Sequence, residues 1–152
     1  MADYHINGAQ TVAGTDDTTL TVERGASARF KVFEINSGFT LASPSDNLLS
    51  VRLHRFVTAD GAGTARVPNP LDPADAPCVA TGLTNHTTEP TTYSTDEEVW
   101  GAIGQHMRAT YRWVAAPGKE IVIPNTASVG VGLVASHASV TPEHVGSLYF
   151  SE

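Results

Sequence analysis

The ten residues Leu48–Val57, LLSVRLHRFV, put Leu49, Val51 and Leu53 on one side of an extended chain and Ser50, Arg52 and His54 on the other. An apolar residue at every second position over this length reads as a half-buried strand, because successive strand side chains face opposite ways. The pattern recurs along the chain. Thr18–Arg24 (TTLTVER) alternates Leu20 and Val22 with Thr and Glu. Ser27–Ile35 (SARFKVFEI) carries Phe30 and Val32 on one side, Phe33 and Ile35 on the other. Val129–Ala135 (VGVGLVA) sets Val129, Val131 and Leu133 against glycines, and Val145–Ser151 (VGSLYFS) alternates Leu148 and Phe150 with Tyr149.

Breakers separate these runs: Arg24-Gly25, Ser43-Pro44-Ser45-Asp46, and ADGAGT at Ala59–Thr64. Pro68–Pro77 (PNPLDPADAP) holds four prolines in ten residues. Such a segment lacks the amides of a regular ladder and reads as a long crossover. In Arg108–Pro124 (RATYRWVAAPGKEIVIP), Pro117 pre-sets φ for the second residue of a type II turn and Gly118 supplies the positive φ of the third. That spacing predicts a hairpin with Tyr111, Trp113 and Ala115 on its apolar face and Arg112 and Val114 opposite. Thr95–Met107 fits two readings. Thr95 with Glu98 forms a capping-box pattern and Val99 and Ile103 have helical spacing, but Gly101 and Gly104 weaken a helix, which leaves a short helix and a strand equally open. Taken together the pattern predicts an all-β fold: a two-sheet β-sandwich, jelly-roll-like, with at most one short helix.

The length of 152 residues suits one domain spanning residues 1–152, with an extended N-terminal arm over 1–17. Charged residues make up only 16%, below the ordinary roughly 25%, so a neutral-polar surface is expected. The net charge of −7 and the scattered Lys and Arg argue against a nucleic-acid partner, which needs a basic stripe. No apolar run approaches the ~20 residues of a membrane-spanning helix, so no membrane partner is expected. The opening MADYHINGAQ lacks a basic and apolar leader pattern, which predicts folding in a cytoplasm.

Motifs that carry chemistry are sparse. The single cysteine, Cys78, excludes an internal disulfide and a Cys-rich zinc site. The six histidines show no HxH or HxxxH spacing; the tightest pair, His137 and His144, straddles a proline turn. No serine sits in G-x-S-x-G and no phosphate-binding glycine loop is present. Asn85–Thr87 matches a glycosylation acceptor, which without a secretion leader reads as accidental. The expectation is no catalytic residue, no cofactor and no metal. Two readings from other classes stay open. A cupin-like metal enzyme would need histidines that converge in the fold. A carbohydrate- or receptor-binding module would need exposed aromatics in a row, for which Trp100, Trp113 and Tyr93 are the candidates.

Asn69–Ala76 (NPLDPADA), Asn85–Thr91 (NHTTEPT), Arg108–Leu133 (RATYRWVAAPGKEIVIPNTASVGVGL) and Gly146–Glu152 (GSLYFSE) resemble small proteins encoded among the virion structural genes of tailed bacteriophages. The resemblance runs from about Leu48 onward and is strongest in NPLDP and RATYRWVAAPGKEIVIP; Met1–Gly25 lies outside it. It implies a non-enzymatic capsid decoration (cement) protein, with a tail-associated protein as the alternative within the structural class. Such a protein would sit on the virion surface after assembly in the host cytoplasm. Its implied partners are the major capsid protein and its own copies, as a homotrimer that could bury outer-face residues such as Phe33 and Tyr149. Contacts are expected from long, weakly periodic segments rich in Pro, Gly or Asn: Tyr4, Ile6 and Val12 near the start, Phe39 and Leu41, and Asn69 and Leu71. Arg112, near the Pro-Gly turn, completes the candidate interface.

Overall fold

The computed structural model describes residues 1–152 except 15, 25–28, 42–45, 59, 91–92, 126–128 and 138–139, and the side chains of 93–101. The described residues form strands and no helix. In chain order these are β1 (Asp3–Thr11), β2 (Asp17–Glu23), β3 (Phe30–Thr40), β4 (Leu48–Phe56), β5 (Ala62–Arg66) and β6 (Asn69–Pro70). They continue as β7 (Thr81–Thr88), β8 (Tyr93–His106), β9 (Tyr111–Val114), β10 (Ile121–Ile123), β11 (Gly130–Ser136) and β12 (Glu143–Ser151). The ambiguous Thr95–Met107 stretch is therefore strand as far as His106, within β8, and Met107 begins the turn that follows.

Two antiparallel sheets pack face to face. Sheet I runs β10-β3-β12-β1-β6, with β9 also on β3; sheet II runs β5-β7-β2-β11-β4-β8. Apart from an insertion, the chain changes sheet at nearly every step. β1-β12-β3 with β9 and β10 face β2-β11-β4-β8, and this is the strand order of a jelly roll. The insertion, β5 to β7, widens both sheets at the opposite edge: β7 and β5 extend sheet II beyond β2, and β6 pairs with β1. Alternating residues of the two inner faces fill the space between, including Ile6, Leu20, Phe30, Val32, Leu53, Val131, Leu133, Leu148 and Phe150.

Two expectations change at β3. The first concerns its faces. Tyr149 lies opposite Glu34 while Phe150 lies opposite Val32, so Phe33 is an extra residue, a β-bulge. The bulge resets the alternation: Phe30, Val32 and Ile35 all point inward and are fully buried, while Phe33 turns outward against Tyr149. The second concerns the predicted hairpin. β9 and β10 do not pair with each other; both lie antiparallel along one edge of β3, β9 opposite Glu34–Ser37 and β10 opposite Phe30–Val32. They form one edge strand interrupted by a loop. The turn itself is as expected: Gly118 has φ 77° and Lys119 N donates to Ala116 O at 2.9 Å. A tight turn in the middle of an edge strand lets the chain leave and rejoin the same neighbour.

The expected N-terminal arm is also a strand. All nine residues of β1 pair with β12, from Asp3 opposite Ser151 to Thr11 opposite Glu143, and Val12 N continues the contact at Pro142 O. Glu152 then ties this pair to the crossover. Its backbone exchanges hydrogen bonds with Ala2, and its carboxylate accepts from Val79 N (2.9 Å), Ala80 N (3.1 Å) and the Cys78 thiol (3.4 Å). Burial first, and the Glu152 charge second, push the Cys78 thiol up to about 12. Replacing Glu152 with Gln should cost about 1–3 kcal/mol in denaturant unfolding, because charge-assisted bonds to two amides are weakened. The same change should speed alkylation of Cys78 by iodoacetamide, since one cause of its suppressed ionisation is gone. An unchanged alkylation rate would show that Glu152 does not act on the thiol.

Candidate functional site

Alternation along β1, β12, β3 and β9 gives sheet I an outer face that faces away from sheet II. Three rings from three adjacent strands meet there. His5 stacks on Tyr149 at 5.5 Å between ring centres, and Phe33, displaced outward by its bulge, lies 6.5 Å from Tyr149. Beside them Val114, Val122 and Val145 stay exposed, Val114 at 53%. A sheet with one solvated face ordinarily alternates apolar-in with polar-out, so this is an apolar excess on the outside.

A charged fork borders the aromatic row. Arg112 on β9 faces Asn36 on β3, next to Glu34 opposite Val114. Arg112 donates to both Glu34 oxygens, Nε to Oε1 and a terminal nitrogen to Oε2, each at 2.8 Å, and Asn36 Nδ2 adds a third bond at 3.0 Å. These bonds, the Arg112 fork first, hold the Glu34 carboxyl below its ordinary range. Past Arg112 the face opens into a groove of about 510 Å³ between Thr110–Arg112 and Val145–Ser147, floored by Asn36–Thr40. A second groove of about 420 Å³ shares Phe39, Thr40 and Thr110 and extends to Leu41 and Met107.

Behind the first groove, between the sheets, lies a buried polar chain. Ser37 Oγ donates to Gln105 Oε1 at 2.6 Å, so it accepts from His144 Nε2 at 2.8 Å. His144 Nδ1 then accepts from the Thr19 hydroxyl, and Gln105 Nε2 donates to the Ser37 and Ala109 carbonyls. Thr19 and Gln105 come from sheet II, Ser37 and His144 from sheet I, so the chain stitches the layers together. Each polar side-chain group in the relay has a partner, as a buried network requires. The Ser37–His144 contact is not a nucleophile–base pair: the hydroxyl proton is spent on Gln105 and both residues are buried. Desolvation lowers His144 to about 3, which keeps it neutral.

The residues chosen from sequence separate into three places. Phe39, Leu41 and Arg112 converge around the two grooves; Phe39 also packs its ring 4.8 Å from His144. Asn69 and Leu71 sit at the β1 edge of sheet I, away from the two grooves, where Asn69 pairs with His5 and Leu71 N donates to Asp3 O. Tyr4, Ile6 and Val12 are core residues with 3% exposure or less, so their side chains offer nothing to a partner. Their mixed local pattern hid an ordinary sheet strand. Trp113 packs against the core, which removes it from an exposed row, and the side chains of Tyr93 and Trp100 lie outside the described residues. His5, Glu34, Val114 and Val145 were missed; strand parity marks His5, Val114 and Val145 as outward, Glu34 turns outward only through the bulge at Phe33, and only the strand order places them together. Among the described residues no group of three or more His, Cys, Asp or Glu is placed to hold a metal ion. No protein-family model, curated protein or solved structure matches the chain.

Proposed function

We propose that this chain is a virion structural protein of a tailed phage, a capsid decoration protein that works by packing rather than by catalysis. The observation that carries the reading is the outer face of sheet I, where His5, Tyr149 and Phe33 form an aromatic row flanked by exposed Val114, Val122 and Val145. An apolar sheet face of this kind is matched to a broad, flat contact with another protein. The jelly roll by itself does not choose among functions, since capsid, lectin and enzyme domains share it. The sequence resemblance to phage virion proteins selects the capsid among them. In this reading the outer face of sheet I joins three copies into a trimer, and the trimer braces neighbouring major capsid subunits. Weak contacts repeated over a shell then act together.

The test begins in solution. Native mass spectrometry of the purified protein should give three times the 16.0 kDa chain mass, and the double variant Phe33→Glu with Tyr149→Glu should give the single mass while remaining folded. A wild-type monomer at all concentrations would remove the trimer. Electron microscopy of phage particles incubated with the protein should show added density at local threefold axes; bare capsids would remove the decoration role. The same face could stack sugar rings, and binding on a glycan array that Tyr149→Ala abolishes would favour that reading instead.

A further inference from the structure

We propose that the edge of β3 at Gly38–Leu41 is a strand-addition site for an extended peptide segment of another protein. β3 is paired with β12 as far as Thr40 opposite Glu143. On its other side β10 and β9 cover it only as far as Ser37 opposite Tyr111. Thr110, which leads into β9, still borders Gly38, and among the described residues no strand continues the pairing along Phe39 and Thr40. The Phe33 and Ser37 carbonyls face the β9 side, where they accept from Ala115 N (2.8 Å) and the Gln105 side chain (3.0 Å). The two-residue period of a strand turns the backbone N–H and C=O of Phe39 and Leu41 the same way.

The comparable gap on sheet I is handled differently. Where β6 stops, the free edge of β1 is closed by a side chain: Ala9 N donates to Thr84 Oγ1 at 3.0 Å, and that hydroxyl lies 3.3 Å from the Ala9 carbonyl oxygen. The β3 edge is bordered instead by the two grooves, which meet at Phe39, Thr40 and Thr110. An extended segment laid along it would send alternate side chains into the two grooves, one set toward Tyr111 and Val145, the other toward Leu41 and Met107. Main-chain bonds with flanking side-chain pockets are the elements of β-strand addition. The occupant is therefore a short extended peptide with an apolar side chain at its centre, and β9 already shows such a segment on the same edge, one step upstream.

The probe is the capped pentapeptide Thr-Val-Phe-Val-Thr, acetylated and amidated, in three forms: unmodified, N-methylated at the central Phe, and N-methylated at both Val. Titration into isotope-labelled protein should shift the Phe39 and Leu41 amides saturably. One N-methylation pattern should weaken binding by roughly tenfold or more, and the other should leave it within about twofold, because only alternate amides face the edge. Leu41→Pro removes one edge donor just past the end of β3; it should abolish binding without lowering the melting temperature appreciably. Equal binding of the two methylated forms, shifts scattered over the surface, or no saturable binding at millimolar peptide would overturn the inference. A dimer of the protein that Leu41→Pro dissolves would overturn it too, since the edge would then belong to a second copy.

Discussion

Moving the protein from pH 7 to pH 5 should remove about 2 kcal/mol of stability through His144 alone, rising to about 4 kcal/mol near pH 3. The folded state holds this imidazole neutral, lowered by burial to about 3, whereas the unfolded chain protonates near 6.5. The folded state therefore binds fewer protons across that interval. The contribution is whole above pH 6.5, declines as pH falls, and is gone below about 3. Among the described residues no charged group is hydrogen-bonded to the ring. The groups it touches are Thr19 from β2 and Ser37 and Phe39 from β3, with Gln105 of β8 behind Ser37, none of them charged. Glu143, its neighbour on β12, is exposed and bonds Thr40 instead.

Other groups titrate in the same range with different signs. Burial lowers His86, which adds to the acid loss. The Arg112 fork lowers Glu34, whose contribution is also lost as pH falls through its folded value. Burial raises Glu23, Asp60 and Glu89, and acid relieves that cost. The comparison that isolates His144 is thus wild type against His144→Gln by urea unfolding at several pH values. The wild type should be the more stable at pH 7, and its lead should shrink by about 2 kcal/mol at pH 5. Parallel stability curves for the two proteins would sink the assignment.

Gly130→Ala should destabilise by about 3 kcal/mol. Gly130 lies on the outer face of β11 opposite Phe56 of β4, between β2 and β4. A methyl group there would come within 2.3 Å of both the Phe56 ring and the Val22 carbonyl oxygen. The ring can swing away, but the carbonyl belongs to the sheet and cannot move without breaking the ladder. Adding Phe56→Ala should therefore fail to rescue Gly130→Ala. Gly104→Ala is the control: a methyl at that position meets nothing within 4 Å, so its unfolding midpoint should stay within about 0.5 kcal/mol of wild type. A mild Gly130→Ala would mean that β11 and β2 can separate slightly at little cost.

These two positions show how far the sequence could be read. The glycines of VGVGLVA stood out as one face of a strand, and that face is where the close approach occurs. The inward sets of β4 and β11 could be read from period two alone, because β4 and β11 pair without a shift and the extra residues at their other register shifts fall on the partner strands β8 and β2. The faces of β3 could not, because one extra residue at Phe33 shifts the parity of everything after it. The hairpin at Pro117-Gly118 was misjudged for a related reason. Local turn chemistry predicts the turn, and whether the flanking strands pair with each other or with a third strand is decided by β3. The buried relay was out of reach, since Thr19, Ser37, Gln105 and His144 share no motif and meet only when the layers close. Of the candidate interface, Phe39, Leu41 and Arg112 converge, while Tyr4, Ile6 and Val12 were mistaken for contacts because the core claims them.

The pairing of β1 with β12 along nine residues has a kinetic consequence. These strands come from opposite ends of the sequence and occupy the middle of sheet I, so neither layer is complete until distant segments meet. Closing so large a loop carries its entropy cost before the contacts that repay it. Folding should be slow for a chain of this length, with apolar strand edges uncovered in the interval. Once the two strands find each other, their seam lies at the centre of the sheet, so that opening it breaks the layer in two.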